Sequence, residues 1–265
     1  MIAYDYHVHS VFSDGVNTLE EVAAAACERG VKILGFTDHG YAPYDTYCCM
    51  RRENVSVYRE TCRKLKETYA GRMEVYCGIE QDIFSEESTD GYDYVIGSVH
   101  YLFLNGEYLT VDWKRERLER AAALLGGDML RVAEEYYRIV SQVAEQTRCQ
   151  LIGHFDLISK LNEREHLFDE NDPRYIAAWQ QAADVLLKAG VPFEINTGAI
   201  SRGYKTEAYP AAPIRRYLRD RGASFVLSSD SHNKETLQYD FERYERVCRK
   251  EGLTLLDRLE WRKEP

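Results

Sequence analysis

No apolar run in this chain of 265 residues approaches the eighteen or more that a membrane span requires, so no contact with a membrane is expected. Cysteine pairs at CxxC spacing are missing too. The seven cysteines (Cys27, Cys48, Cys49, Cys62, Cys77, Cys149 and Cys248) are odd in number and scattered, which points to free thiols in a reducing compartment rather than a zinc ribbon. An excess of positive charge is also lacking. Thirty-four Lys and Arg stand against forty-four Asp and Glu, a formal net charge of −10, so the basic face of a dedicated nucleic-acid binder is not expected. The opening MIAYDYHVHS has neither a basic start nor an apolar signal core, so the expected location is the cytoplasm. Pro- or Ser-rich linkers, low-complexity tracts and repeats of fixed period are all lacking, and a single barrel-sized domain over 1–265 is expected. At 45% hydrophobic and 29% charged residues, such a chain has enough interior for a core without disulfides.

What does recur is a short apolar strand followed by a helix-like stretch, the mark of βα units. Seven strands are expected, at 4–7, 33–37, 75–80, 94–99, 151–154, 192–196 and 225–229. Several are continuous apolar runs, as in parallel strands buried on both faces. Thr18 and Glu21 make a capping box ahead of a helix that Gly30 stops. Asp172-Pro173 opens another helix, ending near Gly190. Residues 114–147 are too long for one crossover and read as two helices broken near Gly126-Gly127; 82–93 is a loop or a short helix. Seven strands in this rhythm suggest a distorted (β/α)7 TIM-like barrel, with a doubly wound open sheet as the alternative.

The polar residues fall at the strand ends. In chain order these are His7 and His9, Asp38-His39, Glu80, His100, His154, Glu194 with Asn196, and Asp230-Ser231-His232. Six of the seven histidines sit at or just past a strand end, and His166 alone does not. In parallel α/β folds the carboxyl-terminal rim is where sites are built. Imidazoles and carboxylates crowded there need cations between them, since desolvated carboxylates would otherwise repel one another. The donor types suit zinc, iron or manganese. Residues i and i+2 of a strand point the same way, so His7 and His9 can share an ion. So many donors exceed one catalytic zinc and suggest two or three ions. Taken singly, each position has an ordinary explanation. Asp38 could form a turn, Glu80 or Asp230 could cap a helix, and His100 and His154 could be core histidines. A metal site explains all of them together.

The motifs HVHSVFSDG, FTDH, GIE, IGSVH, GHFD, EINTG and SSDSH, in that order, resemble those of the polymerase-and-histidinol-phosphatase (PHP) superfamily. IGSVHYL, EINTGAISRG and the YP that follows resemble its histidinol-phosphate phosphatase branch, and the resemblance runs from about Tyr4 to about Asn233. It implies a distorted (β/α)7 barrel with a trinuclear metal centre at the rim. Matched by motif, His7, His9, Glu80 and Asp230 would hold one ion, and Glu80 would bridge to a second on His100 and His154. The third would take His39, His232 and Asp14. Many members place a histidine one step after that last position, where this chain has Gly15. Glu80, Asp230 and His232 would serve the chemistry itself, although no general acid for the leaving oxygen stands out.

The activity implied is hydrolysis of L-histidinol phosphate to L-histidinol and inorganic phosphate, a step of histidine biosynthesis, through attack of a metal-bound hydroxide. Two or three zinc, manganese or iron ions are the expected cofactors, and a small phosphate ester is the expected partner. Arg202, in the loop after the sixth strand, is the implied phosphate-binding residue, able to grip phosphate oxygens as a fork. Lys160, six residues beyond His154, is a second candidate. Tyr41, Tyr44, Tyr47 and Tyr101 lie in rim loops, where they could form a lid or simply pack. The alternatives are a PHP phosphoesterase acting on nucleotides or other small phosphate esters, the exonuclease associated with DNA polymerases, and a metal-binding module without turnover.

Overall fold

Residues 2–260 are described by a computed structural model. Its strands are β1 (Tyr4–Asp5), β2 (Ile33–Phe36), β3 (Glu74–Asp82), β4 (Tyr94–Ser98), β5 (Tyr101–Leu104), β6 (Glu107–Thr110), β7 (Leu151–Ile152), β8 (Phe193–Asn196), β9 (Ser224–Ser228) and β10 (Thr254–Leu255). Eight of them form one sheet in the order β1-β2-β3-β4-β7-β8-β9-β10, and every neighbouring pair is parallel. All seven expected strands are there. The eighth, β10, is a two-residue addition against β9 that lies outside the expected set.

The sheet curls until its ends meet at the rim. Val8, just past β1, bridges Ser231, just past β9; the His9 amide donates to the Ser231 carbonyl at 2.8 Å and the Ser231 amide to the His7 carbonyl at 3.2 Å. At the opposite end the residues around β10 fill the opening, where the Tyr4 hydroxyl donates to the Leu256 carbonyl at 2.9 Å. This is a distorted barrel, sealed by pairing only at its carboxyl-terminal end.

The helices follow their sequence signals. Thr18 and Glu21 cap Leu19–Glu28 reciprocally, and Asp172 with Pro173 opens Pro173–Ala189, which ends at the left-handed Gly190. Gly126 and Gly127, with φ of 86° and 82°, separate Arg115–Leu124 from Met129–Val140, and a third short helix, Val143–Thr147, follows. The 82–93 connection is a loop without a helix. The antiparallel hairpin of β5 and β6 also lies outside the expected elements. Its turn is Asn105-Gly106, both at positive φ, a pair of residues that favours two-residue hairpin turns.

Inside the barrel, successive residues of one strand serve two layers. Tyr4, Tyr6, Tyr94, Ile96, Leu151, Val226 and Leu259 form a buried apolar floor. Tyr94 crosses that floor because Gly35 and Gly78 make room: a Cβ on Gly35 would lie 1.9 Å from its hydroxyl and one on Gly78 2.5 Å from its ring. Above the floor the inward positions turn polar.

Candidate metal centre

Glu80, near the end of β3, is the hub of the rim. Its carboxylate lies 3.2 Å from His7 Nε2, 3.5 Å from His9 Nε2, 3.0 Å from His39 Nδ1, 3.4 Å from His100 Nε2 and 2.9 Å from His154 Nε2. These five imidazoles come from four strand ends, β1 supplying both His7 and His9, so only the curled sheet brings them together. Backbone pairing fixes one of them directly. The Glu80 amide donates to the Asp38 carbonyl and the Gly40 amide to the Glu80 carbonyl, setting His39 beside Glu80.

Asp230 stands opposite, 3.3 Å from His9 Nε2, 3.8 Å from His7 Nε2 and 3.4 Å from His232 Nδ1. Its φ of 49° lies in the left-handed region, sparsely populated by residues other than glycine and better tolerated by Asp than by most. Such backbone strain is common where a side chain must be aimed at a site.

Asp14 completes the cluster, with Oδ1 3.2 Å from His232 Nε2 and 3.7 Å from both His9 Nδ1 and His39 Nε2. Asp38 holds the loop that presents it, accepting from the amides and hydroxyls of both Ser10 and Ser13. Gly15 packs against the backbone of His9 and Ser10, and a Cβ there would lie 2.7 Å from it. On this loop path a side chain at 15 has no room, and position 14 is the one that faces the site.

Three groups of donors have one ligand atom per residue within 4.8 Å of one another: His9, Asp14, His39 and His232; His7, His9 and Asp230; and His39, Glu80 and His100. Each member is among the residues named from the motifs, but His154 is in none of the groups, and the groups overlap, since His9 and His39 each stand in two. Residues beyond the expected set orient these rings. Glu194 accepts from His7 Nδ1 at 2.6 Å and from the His154 amide at 2.8 Å. Asp82 plays the same part for His100, 3.3 Å from Nδ1 and 2.6 Å from its amide nitrogen. A ring that gives its Nδ1 proton to a carboxylate presents the Nε2 lone pair, the arrangement typical of metal-bound histidine. Asn196 ties Glu194 to Asp230, donating at 3.0 and 3.2 Å. In the sequence Glu194 and Asn196 stand at the end of the sixth strand, and that placement is the signal available there; their roles depend on His7 and Asp230 across the curled sheet.

The electrostatics follow from the crowding. Burial would lower His7, but Glu194, Glu80 and Asp230 outweigh it and hold the imidazole well above its ordinary value. Burial would likewise lower His39, yet Glu80 and Asp14 lift it to about 10. Burial, His232 and His39 together push His9 down to about 3. Burial would raise Glu80 and Asp230, but His7, His39 and His100 hold the first well below its usual range, and Arg202 and His7 hold the second there. The His7 and His9 Nε2 atoms and His154 Nδ1 are buried without a hydrogen-bond partner. Unpaired buried nitrogens among anionic carboxylates are a donor set that fits divalent cations.

The other predicted residues are engaged on the same rim. Arg202 Nη2 is 3.0 Å from Asp230, Nη1 is 2.8 Å from His232 Nδ1, and Nε has no partner. Lys160 is buried and donates to Asp112 at 2.7 Å. Of the loop tyrosines, Tyr44 stacks on Tyr108 of the hairpin at 3.8 Å and meets Tyr101 edge-on at 5.0 Å, Tyr41 packs under Arg52, and Tyr47 is exposed. His166 lies apart, on the left-handed residue that ends the short helix Asn162–Glu165.

The family model described as the PHP domain matches residues 5–198. The chain belongs to the PHP domain family. A relative from Deinococcus radiodurans, named "Probable histidinol-phosphatase", is 32% identical over 252 residues, 89% of each chain. Another of that name, from Schizosaccharomyces pombe, is 25% identical over 91% of this chain and 84% of its own. The crystal structure of a histidinol phosphate phosphatase from Lactococcus lactis, complexed with zinc, L-histidinol and phosphate, superposes with a TM-score of 0.72 over 97% of this chain and 98% of its own. At 18% identity that likeness speaks for the PHP barrel fold. Among the described residues no helix is long and apolar enough to cross a membrane.

Proposed function

We propose that this PHP protein is a metal-dependent phosphatase that hydrolyses L-histidinol phosphate to L-histidinol and inorganic phosphate. The observation that carries this reading is the convergence of five imidazoles on the Glu80 carboxylate, with Arg202 beside them. The substrate is supported by the names of relatives that align along nearly the whole chain. His7, His9, Glu80 and Asp230 are assigned to one divalent ion, Glu80, His100 and His154 to a second, and Asp14, His39 and His232 to a third.

Zinc, manganese or iron bound there would supply a water of lowered pKa and positive charge against phosphoryl oxygens. The chain's own residues do the rest. Glu194 and Asp82 fix the His7 and His100 rings so that lone pairs face inward. Arg202 can exchange its contact with Asp230 for phosphate oxygens, keeping a charge-assisted hydrogen bond throughout. Lys160, held near the rim by Asp112, is the second cation assigned to the substrate. Together they set local positive charge against the formal net charge of −10.

The test is phosphate release from L-histidinol phosphate by protein stripped with a chelator and reloaded with Zn²⁺, Mn²⁺ or Fe²⁺. Metal-dependent turnover with kcat/KM above about 10⁴ M⁻¹s⁻¹ is expected. Turnover confined to nucleotides or other small esters would replace the substrate, and silence on every ester would leave a metal-binding module.

A further inference from the structure

We infer that the Tyr209 hydroxyl touches the substrate, donating a hydrogen bond to the ester oxygen that leaves with the organic group. The inference rests on the phosphatase reading and assigns a residue to the part of the reaction for which the rim offers no evident donor. Tyr209 is fully buried, and its hydroxyl has no hydrogen-bond partner in the protein. An unpaired buried hydroxyl is costly, and its persistence calls for an explanation.

The side chain is held in place by the same residues that build the metal centre. The Tyr209 amide donates to the Asn196 carbonyl at 3.0 Å, and the Asn196 amide donates back at 2.8 Å. The Asn196 side chain is the one that ties Glu194 to Asp230. The Tyr209 ring meets His154 edge-on, with centroids 6.3 Å apart, and Lys205 Nζ lies 5.4 Å from its ring centre. A phenol keeps its proton at neutral pH and so remains a donor. The ring it meets belongs to the metal centre, His154 Nε2 lying 2.9 Å from Glu80, so the phenol sits against the site. Arg202 Nε, seven residues earlier in the same loop, is a second buried donor without a partner.

In the hydrolysis the ester P–O bond breaks and its electron pair goes to the leaving oxygen. Water supplies the hydroxyl on phosphorus and the proton on the alcohol. The phenol keeps its own proton and stabilises the charge as it builds, as a pre-placed donor does in an oxyanion site.

Tyr209→Phe removes the hydroxyl and nothing else. Its kcat on L-histidinol phosphate should fall roughly tenfold to a hundredfold. On p-nitrophenyl phosphate, whose leaving group needs little help, the loss should stay below about threefold. Its thermal midpoint should match the wild type, because no protein partner is lost. Equal losses on the two esters, no loss on the alkyl ester, or a midpoint lowered by more than about 5 °C would each overturn the assignment. A wild-type protein inactive on both esters would instead refute the phosphatase reading itself, so the two failures are distinct.

Discussion

The floor and the rim of the barrel are built by the same strands and obey opposite rules. β4 contributes Tyr94 and Ile96 to the floor, then Ser98 and, just past its end, His100 to the rim. β9 gives Val226 below and Asp230 above. The floor gains its stability from packed rings and aliphatic side chains. Tyr4 stacks on Tyr6 at 4.7 Å, Tyr94 meets Tyr6 edge-on at 6.0 Å, and the Tyr94 hydroxyl donates to the Tyr6 carbonyl at 2.6 Å. The rim carries carboxylates and imidazoles whose charges offset one another only because they are crowded. A few ångströms along a strand therefore separate residues that hold the fold from residues that hold a ligand.

The largest effect expected at the rim is that of Glu80→Gln. It replaces the carboxylate that faces five imidazoles with a neutral amide, and kcat/KM should fall by at least about a thousandfold while the chain stays folded. Steady-state kinetics beside circular dichroism would show it; a loss smaller than tenfold would remove Glu80 from the centre of the site. The matching change on the floor is Tyr94→Ala. Emptying the space beside Gly35 and Gly78 should cost about 3–5 kcal/mol of stability, read from urea unfolding. Its kcat/KM per folded molecule should stay within about twofold of the wild type, since a floor residue touches no substrate. If activity fell as steeply as for Glu80→Gln, floor and rim would not be separable.

This contrast explains how much could be read from sequence. Rim donors were legible because a histidine or carboxylate at the end of an apolar strand breaks a pattern, and all seven expected strands end in such a break. The seven expected strands were legible because each is a short apolar run closed by such a break. The pairing of donors into groups was not, because it depends on curvature: His9 and His39 each serve two groups only once the sheet has curled. Glu194 and Asn196 lay in a strand like any polar pair, and their roles appear only against His7 and Asp230. β10 lies in the short apolar run Leu253-Thr254-Leu255-Leu256, outside the seven expected strands. The hairpin differs, since Asn105-Gly106 between YLFL and EYLT is a strong local signal that the rhythm of βα units masked.

A smaller effect separates donors from the residues that aim them. Glu194→Gln sets an amide against His7 Nδ1 and favours the tautomer whose Nε2 carries the proton. Metal affinity or activity should drop about tenfold to a hundredfold, measured by chelator competition and kinetics. An unchanged affinity would mean that the backbone alone orients His7.

The smallest expected effect tests why rim carboxylates are held low. Asp5 in β1 is as buried as Glu80, but its partners are the Ser229 amide and hydroxyl and the Gln238 amide, with no imidazole against it. Burial therefore dominates and pushes it up to about 6, opposite to Glu80 and Asp230. The native state then holds this proton more tightly than the unfolded chain does. Its contribution to stability is greatest below the ordinary value of 3.8, declines as pH rises toward about 6 and is flat above that. Asp5→Asn cannot ionise, so relative to the wild type it should gain up to about 3 kcal/mol between pH 4 and pH 7. Taking the difference between the two proteins, each unfolded in urea with chelator present, cancels the titration of the rim groups. A difference independent of pH would mean that burial does not raise Asp5, and the imidazoles would no longer be needed to explain why Glu80 and Asp230 stay ionised.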